Sequence, residues 1–135
     1  MFDSDELVSH RLGFFPNPDL MEFQNDYDIY LDDEIYADMI DPRIVITPLR
    51  FDFYSREDVV KNVVHPASHL TIGQYKNCRI PVTRPLMPVQ FVSFIIRNFY
   101  NNAFRRYEDK LTVSGKMFPK TITPEETRVL HVSVE

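Results

Sequence analysis

Apolar and polar side chains alternate along five stretches of this chain, and a period of two is typical of β-strands with one buried face. The stretches cover residues 7–15, 43–54, 69–72, 78–82 and 128–135. The third and fourth are joined by the short polar segment 73–77, which predicts a β-hairpin with a five-residue connection. The pattern therefore predicts an antiparallel sheet of about five strands.

A different period follows Pro88. Over residues 89–107 the apolar side chains recur at i, i+3, i+4 and i+7, the spacing of an amphipathic helix. They include Val92, Ile95, Ile96, Phe99 and Ala103. Further on, Thr123 and Glu126 have the spacing of a capping box and predict one helical turn. The predicted fold class is α+β, a single domain over residues 1–135 with one long helix packed on one face of the sheet.

The alternation also predicts which side chains share a face of the sheet. In the strand after Pro48, Phe51 and Phe53 lie on the apolar side. If this strand and the hairpin share one sheet, their polar sides coincide. The polar face then carries Arg50, Asp52, Tyr54, His69, Thr71 and Arg79, with His65 and Ser68 at its rim. We expect this face to be open to solvent, and we expect His10 and Arg11 to be solvated strand residues.

Composition and charge argue against several classes of protein. An apolar fraction of 44% is that of a folded domain rather than a disordered chain. The formal net charge of −5 argues against a protein that coats nucleic acid, although an enzyme can still contact a few phosphates. Three glycines are few for a glycine-rich phosphate loop, and the single cysteine, Cys78, cannot form an internal disulfide.

The termini and the acidic N-terminal third give expectations about location and ions. No basic segment followed by an apolar one predicts a signal peptide, and no run has the length of a membrane span, so we expect a cytoplasmic protein. The acidic cluster at residues 26–38 lacks the glycine and glutamate offsets of a calcium loop and is interpreted as a solvated loop.

His65 and His69 raise the question of a metal site. Four residues apart on a helix, they would reach one ion, as in zinc sites of the HExxH type. Pro66 and the alternation predict an extended segment instead, in which four residues span roughly 13 Å. That is too far for one ion with bonds of about 2 Å, so we expect no metal and no cofactor. A turn at residues 66–68 that folds His65 back is the alternative.

The residue types of the polar face suit metal-independent cleavage of a phosphodiester. Such a reaction needs an acid–base pair and cations that stabilise developing negative charge. The candidate catalytic residues are His65, His69, Arg50, Arg79 and Tyr54, with Asp52, Ser68 and Thr71 in support. An Asp52 hydrogen bond would set a histidine tautomer. The structural alternative is that Arg50 and Asp52 form cross-strand ion pairs and His69 binds a backbone group.

Several strings in the chain resemble a prokaryotic family known as a domain of unknown function. They are RLGFFPNP, PLRFDF, HPASHLTIG, CRIPV and FVSFIIRNFY, and they fall within residues 9–104. The combination of HPxSHLTxG with CRIPV is the most specific part, and the resemblance implies no activity. Members often carry a segment before the RLGFFP strand, which implies a sheet edge that this chain leaves open to a partner.

Two functions from different classes remain. The first is an interaction or regulatory module of a larger defence or toxin-like assembly, whose partner is another protein or a second copy. The second is a metal-independent endoribonuclease acting on RNA, and a looser similarity to small toxin-type mRNA interferases maps catalysis onto Arg50, His65 and His69. The distance between the two imidazoles separates these hypotheses, because groups more than about 10 Å apart cannot act on one substrate.

Overall fold

The structure is a computed structural model that describes residues 1–3, 6–15, 47–110 and 115–135. Its backbone divides into two compact units. The sheet unit comprises Met1–Phe14, Pro48–Met87 and Lys116–Glu135, and the helical unit comprises Phe15–Thr47 and Pro88–Gly115. A single domain, and a helix packed on the sheet, stay predictions. The acidic cluster and the predicted strand residues 43–46 lie outside the described residues.

The sheet unit contains a four-stranded antiparallel sheet in the order β3-β4-β5-β6 and a separate antiparallel pair, β1-β2. The strands are β1 (Phe2–Asp3), β2 (Glu6–Leu7), β3 (Ser9–Phe14), β4 (Leu49–Tyr54), β5 (Ser68–Ile72) and β6 (Ile80–Pro81). β4 begins directly after Pro48, as a residue without an N–H would require. The α+β class and the antiparallel sheet are confirmed, but the count of five strands is wrong for the described residues.

The predicted closing strand at residues 128–135 forms only one isolated bridge, in which Val132 lies parallel to Val82. Pro81 has no N–H to donate, so pairing is limited to its carbonyl, which accepts from Val132, and to the N–H of Thr83. Leu130, predicted to point inward, is 82% exposed. Val134 is buried as predicted.

β5 and β6 form the predicted hairpin, with His69 opposite Pro81 and Leu70 opposite Ile80. The connection runs over residues 73–79 and is longer than the predicted five residues. Gly73 opens it at a φ of 66°, a left-handed value that glycine adopts without a steric penalty.

The central strand β4 is buried on both faces. Phe51 and Phe53 lie in the apolar core, as their alternation predicts. On the other face Asp52 is also buried, and so are His69 and Thr71 of β5. The expectation of a polar face open to solvent is therefore wrong, because alternation assigns the side of a strand and not what covers it.

The predicted long helix is two helices, α1 (Pro88–Phe99) and α2 (Asn101–Tyr107). Between them Tyr100 leaves helical geometry, at φ −128° and ψ 55°. Just before the break the Asn98 side chain donates to the carbonyl of Phe94 at 2.7 Å and competes with the backbone ladder for this acceptor. Neither described helix has the length and apolar character needed to cross a membrane.

The buried side of α1 includes Phe91 in place of the neighbouring Val92 that the pattern predicts. Phe91 and Ile95 are buried, whereas Val92, which the periodicity placed in the apolar stripe, is half exposed. The wide run of aromatic residues around the stripe explains the shift, because it leaves the centre of the apolar side poorly defined.

The predicted capping box is present. The Thr123 hydroxyl accepts from the Glu126 N–H at 3.2 Å, and the Glu126 carboxylate accepts from the Thr123 N–H at 2.9 Å. The single turn that follows is the 3₁₀ helix Glu126–Arg128.

Candidate functional site

Asp52 is the centre of a group of polar and aromatic side chains in the sheet unit, which we call the Asp52 cluster. Its members are Arg11, Arg50, Asp52, Tyr54, His65 and His69. The Asp52 side chain is only 1% exposed. Its Oδ1 accepts from Nε of Arg11 at 2.6 Å, and its Oδ2 accepts from Nε of Arg50 at 2.5 Å. Two guanidinium groups offset the cost of burying one carboxylate and leave an excess of positive charge.

Arg11 is the member of the cluster that the sequence did not predict. The register pairs it directly with Asp52, across the β3–β4 ladder. Its side chain is 55% exposed, so one surface faces solvent while Nε is fixed to the buried carboxylate. The available signal was an arginine within a predicted strand, but the sequence does not specify the register that places it opposite Asp52.

His69 lies opposite Asp52 in the β4–β5 register and is 2% exposed. Its Nδ1 is 2.9 Å from the carbonyl of Pro66, and since a carbonyl can only accept, Nδ1 carries a proton. Its Nε2 is 3.7 Å from Asp52 Oδ2, beyond hydrogen-bond range. The hypothesis that Asp52 sets the tautomer is wrong, and the structural alternative of a backbone partner is confirmed for this histidine.

His65 packs against His69, with 5.1 Å between the ring centroids and 66° between the ring planes. It does not continue β5, because it forms a bridge with Lys61 and the chain bends at Ala67 before β5 begins. The prediction of an extended segment with the imidazoles roughly 13 Å apart is therefore wrong. The alternative, a turn that folds His65 back, is what forms.

Tyr54 contacts both histidines at the end of β4. Its ring is 5.9 Å from the His65 ring and 6.4 Å from the His69 ring, nearly parallel to the latter at 25°. The Tyr54 hydroxyl accepts from Nη2 of Arg11 at 2.9 Å. This bond uses a lone pair, so the hydroxyl keeps its own proton for donation.

Burial favours the neutral form of both imidazoles. It is the main cause that lowers the pKa of His69, and the hydrogen bond to Pro66 opposes it. Burial also lowers the pKa of His65, followed by the positive charge of Arg79, whereas a hydrogen bond to the Val59 backbone raises it. A neutral imidazole keeps a lone pair that can accept a proton, which is the state that a general base needs.

The other residues predicted for the polar face, Arg79, Thr71 and Ser68, lie outside the Asp52 cluster as defined above. Arg79 is the last residue of the hairpin connection. Its charge lowers the pKa of both cluster histidines, so it lies within electrostatic range of them. Thr71 pairs with Arg50, and its buried hydroxyl has no partner among the residues that the structure describes. Ser68 pairs with Phe53, which places it on the apolar face and corrects its predicted position at the polar rim.

A cleft of about 400 Å³ opens beside the cluster at the end of β4. Its lining includes Tyr54, Ser55, Glu57, Ala67 and Thr121. Tyr54 belongs to both the cleft and the cluster, so a molecule held in the cleft would lie against the ring that also contacts the two histidines.

Proton transfer beside a bound anion is the chemistry that these side chains themselves offer. The cluster combines neutral imidazoles, a phenol with a proton to donate and an excess of positive charge. In the described ranges, no three or more His, Cys, Asp or Glu side chains are grouped so that they could hold a metal ion.

Fold and cluster together define an α+β protein in which a buried carboxylate held by two arginines, together with a histidine pair, occupies one face of a small antiparallel sheet. The chain belongs to the family described as "Uncharacterized conserved protein (DUF2290)", whose family model matches residues 1–134. The resemblance to a family of unknown function is thereby confirmed. No curated protein and no solved structure matches the chain.

Proposed function

We propose that the protein is a metal-independent endoribonuclease whose acid–base chemistry takes place at the Asp52 cluster. The observation that carries the proposal is the contact between His65 and Tyr54, with ring centroids 5.9 Å apart beside Arg11, which bonds the Tyr54 hydroxyl. This distance is well inside the limit of about 10 Å for groups that serve one substrate. The reaction class follows from the residue types, because RNA brings its own nucleophile and needs only proton transfer and charge stabilisation.

His65 is the general base of the proposed reaction, because it is only half-buried while His69 beneath it is inaccessible. Its unprotonated nitrogen takes the proton of a ribose 2′-hydroxyl, and the 2′-oxygen attacks the adjacent phosphorus. The bond from phosphorus to the 5′-oxygen breaks, and the Tyr54 hydroxyl gives its proton to that leaving oxygen. The products are a 2′,3′-cyclic phosphate and a 5′-hydroxyl.

Arginines supply the positive charge for the proposed reaction. Asp52 fixes Nε of Arg11 and Nε of Arg50, so both guanidinium groups are oriented before a phosphate arrives. Arg79 adds a third charge within range of the histidines. His69 is fixed by the Pro66 carbonyl and packs against the His65 ring. It takes no proton itself and contributes by holding that ring in position.

The test is cleavage of single-stranded RNA in the presence of a chelator by wild type, H65A and H131A. His131 is the matched control, because it lies outside the cluster and binds the carbonyl of Val129. Loss of a general base costs about 10²–10⁴-fold in rate, so H65A should lose that much activity while H131A keeps it. Equal cleavage by all three proteins would assign the activity to a contaminant.

A second candidate function is an interaction or regulatory module of a larger defence or toxin-like assembly in a prokaryotic cell. Large apolar side chains on the surface of the described residues support it. They include Phe15, Val64, Tyr75, Val129 and Leu130. β3 also stands at one end of the described strand order. Met1 already bonds the backbone of Ser9 there, so a strand added by another protein or a second copy would pair with residues 11–13.

Partner capture distinguishes the two candidates. An interaction module retains a stoichiometric protein partner, or forms a dimer, and L130D abolishes this while H65A does not. The ribonuclease shows the opposite pattern, since its activity depends on His65 and tolerates a charge at the exposed Leu130.

A further inference from the structure

The turn that precedes His65 has a backbone conformation that valine rarely adopts. Lys61 and His65 exchange two backbone hydrogen bonds, of 3.0 Å and 2.6 Å. Between them Val63 has a φ of 64°, and the N–H of Val64 bonds to the carbonyl of Asn62 at 2.7 Å. A left-handed φ is an outlier for a β-branched residue, and it persists only where surrounding contacts hold it.

Those contacts come from the capping box near the C-terminus of the chain. Glu126 Oε1 accepts from the N–H of Val63 at 3.3 Å, and its Oε2 accepts from the N–H of Thr123 at 2.9 Å. The Thr123 hydroxyl donates to Oδ1 of Asn62 at 2.6 Å. Two consecutive residues of the strained turn are therefore tied to the capping box.

The burial of Glu126 exceeds what capping requires. Its exposure is 1%, and in the described ranges the carboxylate is bonded to backbone N–H groups rather than to a cation. Glutamate is almost never fully buried unless it is paired, because removing its charge from water is costly. A surface glutamate would cap the 3₁₀ turn equally well, so the buried position has to be explained by the second contact, on Val63.

The chain passes directly from this turn into the Asp52 cluster. His65 closes the turn, and the next residue, Pro66, is fully buried. The carbonyl of Pro66 accepts the Nδ1–H of His69. A displacement of the turn would therefore move the His65 ring and also the carbonyl that orients the second histidine.

We propose that Glu126 is a positioning residue that clamps the turn at residues 61–65 in its strained form and thereby holds the His65 ring against His69 and Tyr54. The catalytic meaning of this role rests on the proposed function, to which it adds a residue from the opposite end of the chain. The positioning itself is measurable without RNA.

The test is an NMR titration of His65 in wild type, E126Q and E125Q, with H65A used to assign the resonance. E126Q keeps the volume of the side chain but turns one acceptor oxygen into an NH₂ group that faces a backbone donor. Burial and the Arg79 charge lower the pKa of His65 in the native turn, so release of the turn raises this pKa toward that of an exposed imidazole. Glu125 is exposed and accepts from the Asn62 side chain at 3.1 Å, a bond that the oxygen of a glutamine also accepts. E125Q therefore makes the same chemical change while the Glu126 bond to Val63 stays in place, and it leaves the His65 titration as in wild type.

A compensating substitution separates positioning from a general effect on stability. Glycine adopts a positive φ without a steric penalty, so V63G frees the turn from its dependence on the clamp. The V63G/E126Q double variant should therefore regain the wild-type His65 titration. Failure of this rescue, or a folded E126Q with an unchanged His65 titration, would overturn the proposal.

Two further measurements complete the experiment. If E126Q does not fold, T123V, which removes the hydroxyl that bonds Asn62 and the Glu126 N–H, is used in its place with the same expected shift. RNA cleavage is measured on the same samples. A shifted His65 titration in a protein that never cleaves RNA supports the clamp and contradicts the proposed function.

Discussion

The Asp52 carboxylate determines the geometry of the residues around it. Alone in a buried position it would cost several kcal/mol, and this cost is offset by hydrogen bonds from Arg11 and Arg50. Because both arginines bind through Nε, their planar groups are fixed in direction as well as in position. The same carboxylate lies near His69 without bonding to it, which leaves the tautomer under the control of the backbone at Pro66.

The substitution D52N tests this role. An amide presents a donor to one of the two guanidinium groups, so we expect the free energy of unfolding to fall by about 2–3 kcal/mol. This is less than the 3–5 kcal/mol typical of a fully buried pair, because Arg11 and Arg50 are partly exposed. Urea denaturation measures the change.

The matched control for D52N is D58N. Asp58 pairs with Arg56 on the surface, where an ion pair contributes about 0–1 kcal/mol. Equal losses of stability in the two variants would contradict the central position of Asp52.

The lowered pKa values of three histidines predict that the stability of the fold depends on pH. Burial is the first cause that lowers the pKa values of His10, His65 and His69, the first of which packs edge-on to Phe53 and Phe118. Below the ordinary histidine pKa of about 6.5 the unfolded chain binds more protons than the folded chain. The free energy of unfolding therefore falls as the pH drops through about 6.5, and the loss ends below the folded pKa values.

The variant H69N isolates one contribution to this pH dependence. Its amide nitrogen can replace Nδ1 as the donor to the Pro66 carbonyl, and it does not titrate. The decrease in stability between about pH 7.5 and pH 5.5 should be smaller in H69N than in wild type. Identical decreases, measured by urea denaturation at both pH values, would show that His69 titrates alike in the folded and unfolded chains.

At the scale of elements, the turn at residues 61–65 holds Val63 at a positive φ that a β-branched residue disfavours. A left-handed conformation costs an L-residue about 1–2 kcal/mol, and glycine pays about 0.5–1 kcal/mol in chain entropy. V63G should therefore raise the free energy of unfolding by about 0.5–1 kcal/mol. V64G, at a neighbouring exposed valine without a positive φ, should lower it. Thermal denaturation that shows a loss in both variants would contradict strain at Val63.

The sequence predicted those elements whose pattern is local. Alternation identified β4 and the hairpin, and the spacing of Thr123 and Glu126 identified the capping box. The sequence pattern gave the wrong extent of an element where a single residue disturbs its backbone hydrogen bonding. Pro81 removes an N–H donor from the pairing of the last segment, and the Asn98 side chain competes for a backbone acceptor next to the break between α1 and α2.

The candidate site was predicted only in part, for a similar reason. Parity placed Asp52 and His69 on one face, and the register confirms this. The approach of His65 depends on a turn held by Glu126, which is 61 residues away in the chain and invisible to a local pattern. Arg11 was missed because its pairing with Asp52 depends on the β3–β4 register, which the sequence alone does not specify.

For the whole molecule, a net charge of −5 contrasts with the excess positive charge of the Asp52 cluster. The net charge of the chain repels an anionic substrate at long range, and the cluster attracts it at short range. We therefore expect RNA to bind weakly and with a small salt dependence, since only a few phosphates are contacted. Filter binding of a non-cleavable DNA oligonucleotide at increasing salt measures this slope, and a steep slope would indicate a larger basic surface than the cluster provides.

The most direct test of the account compares two oligonucleotides in the presence of a chelator. One is single-stranded RNA, and the other has the same sequence with 2′-deoxyribose throughout. We predict that wild type cleaves only the RNA and leaves a 2′,3′-cyclic phosphate, and that H65A cleaves neither at a comparable rate. Cleavage of the deoxy strand, equal cleavage of RNA by H65A, or an intact RNA strand after incubation with wild type would contradict the proposed reaction at the Asp52 cluster.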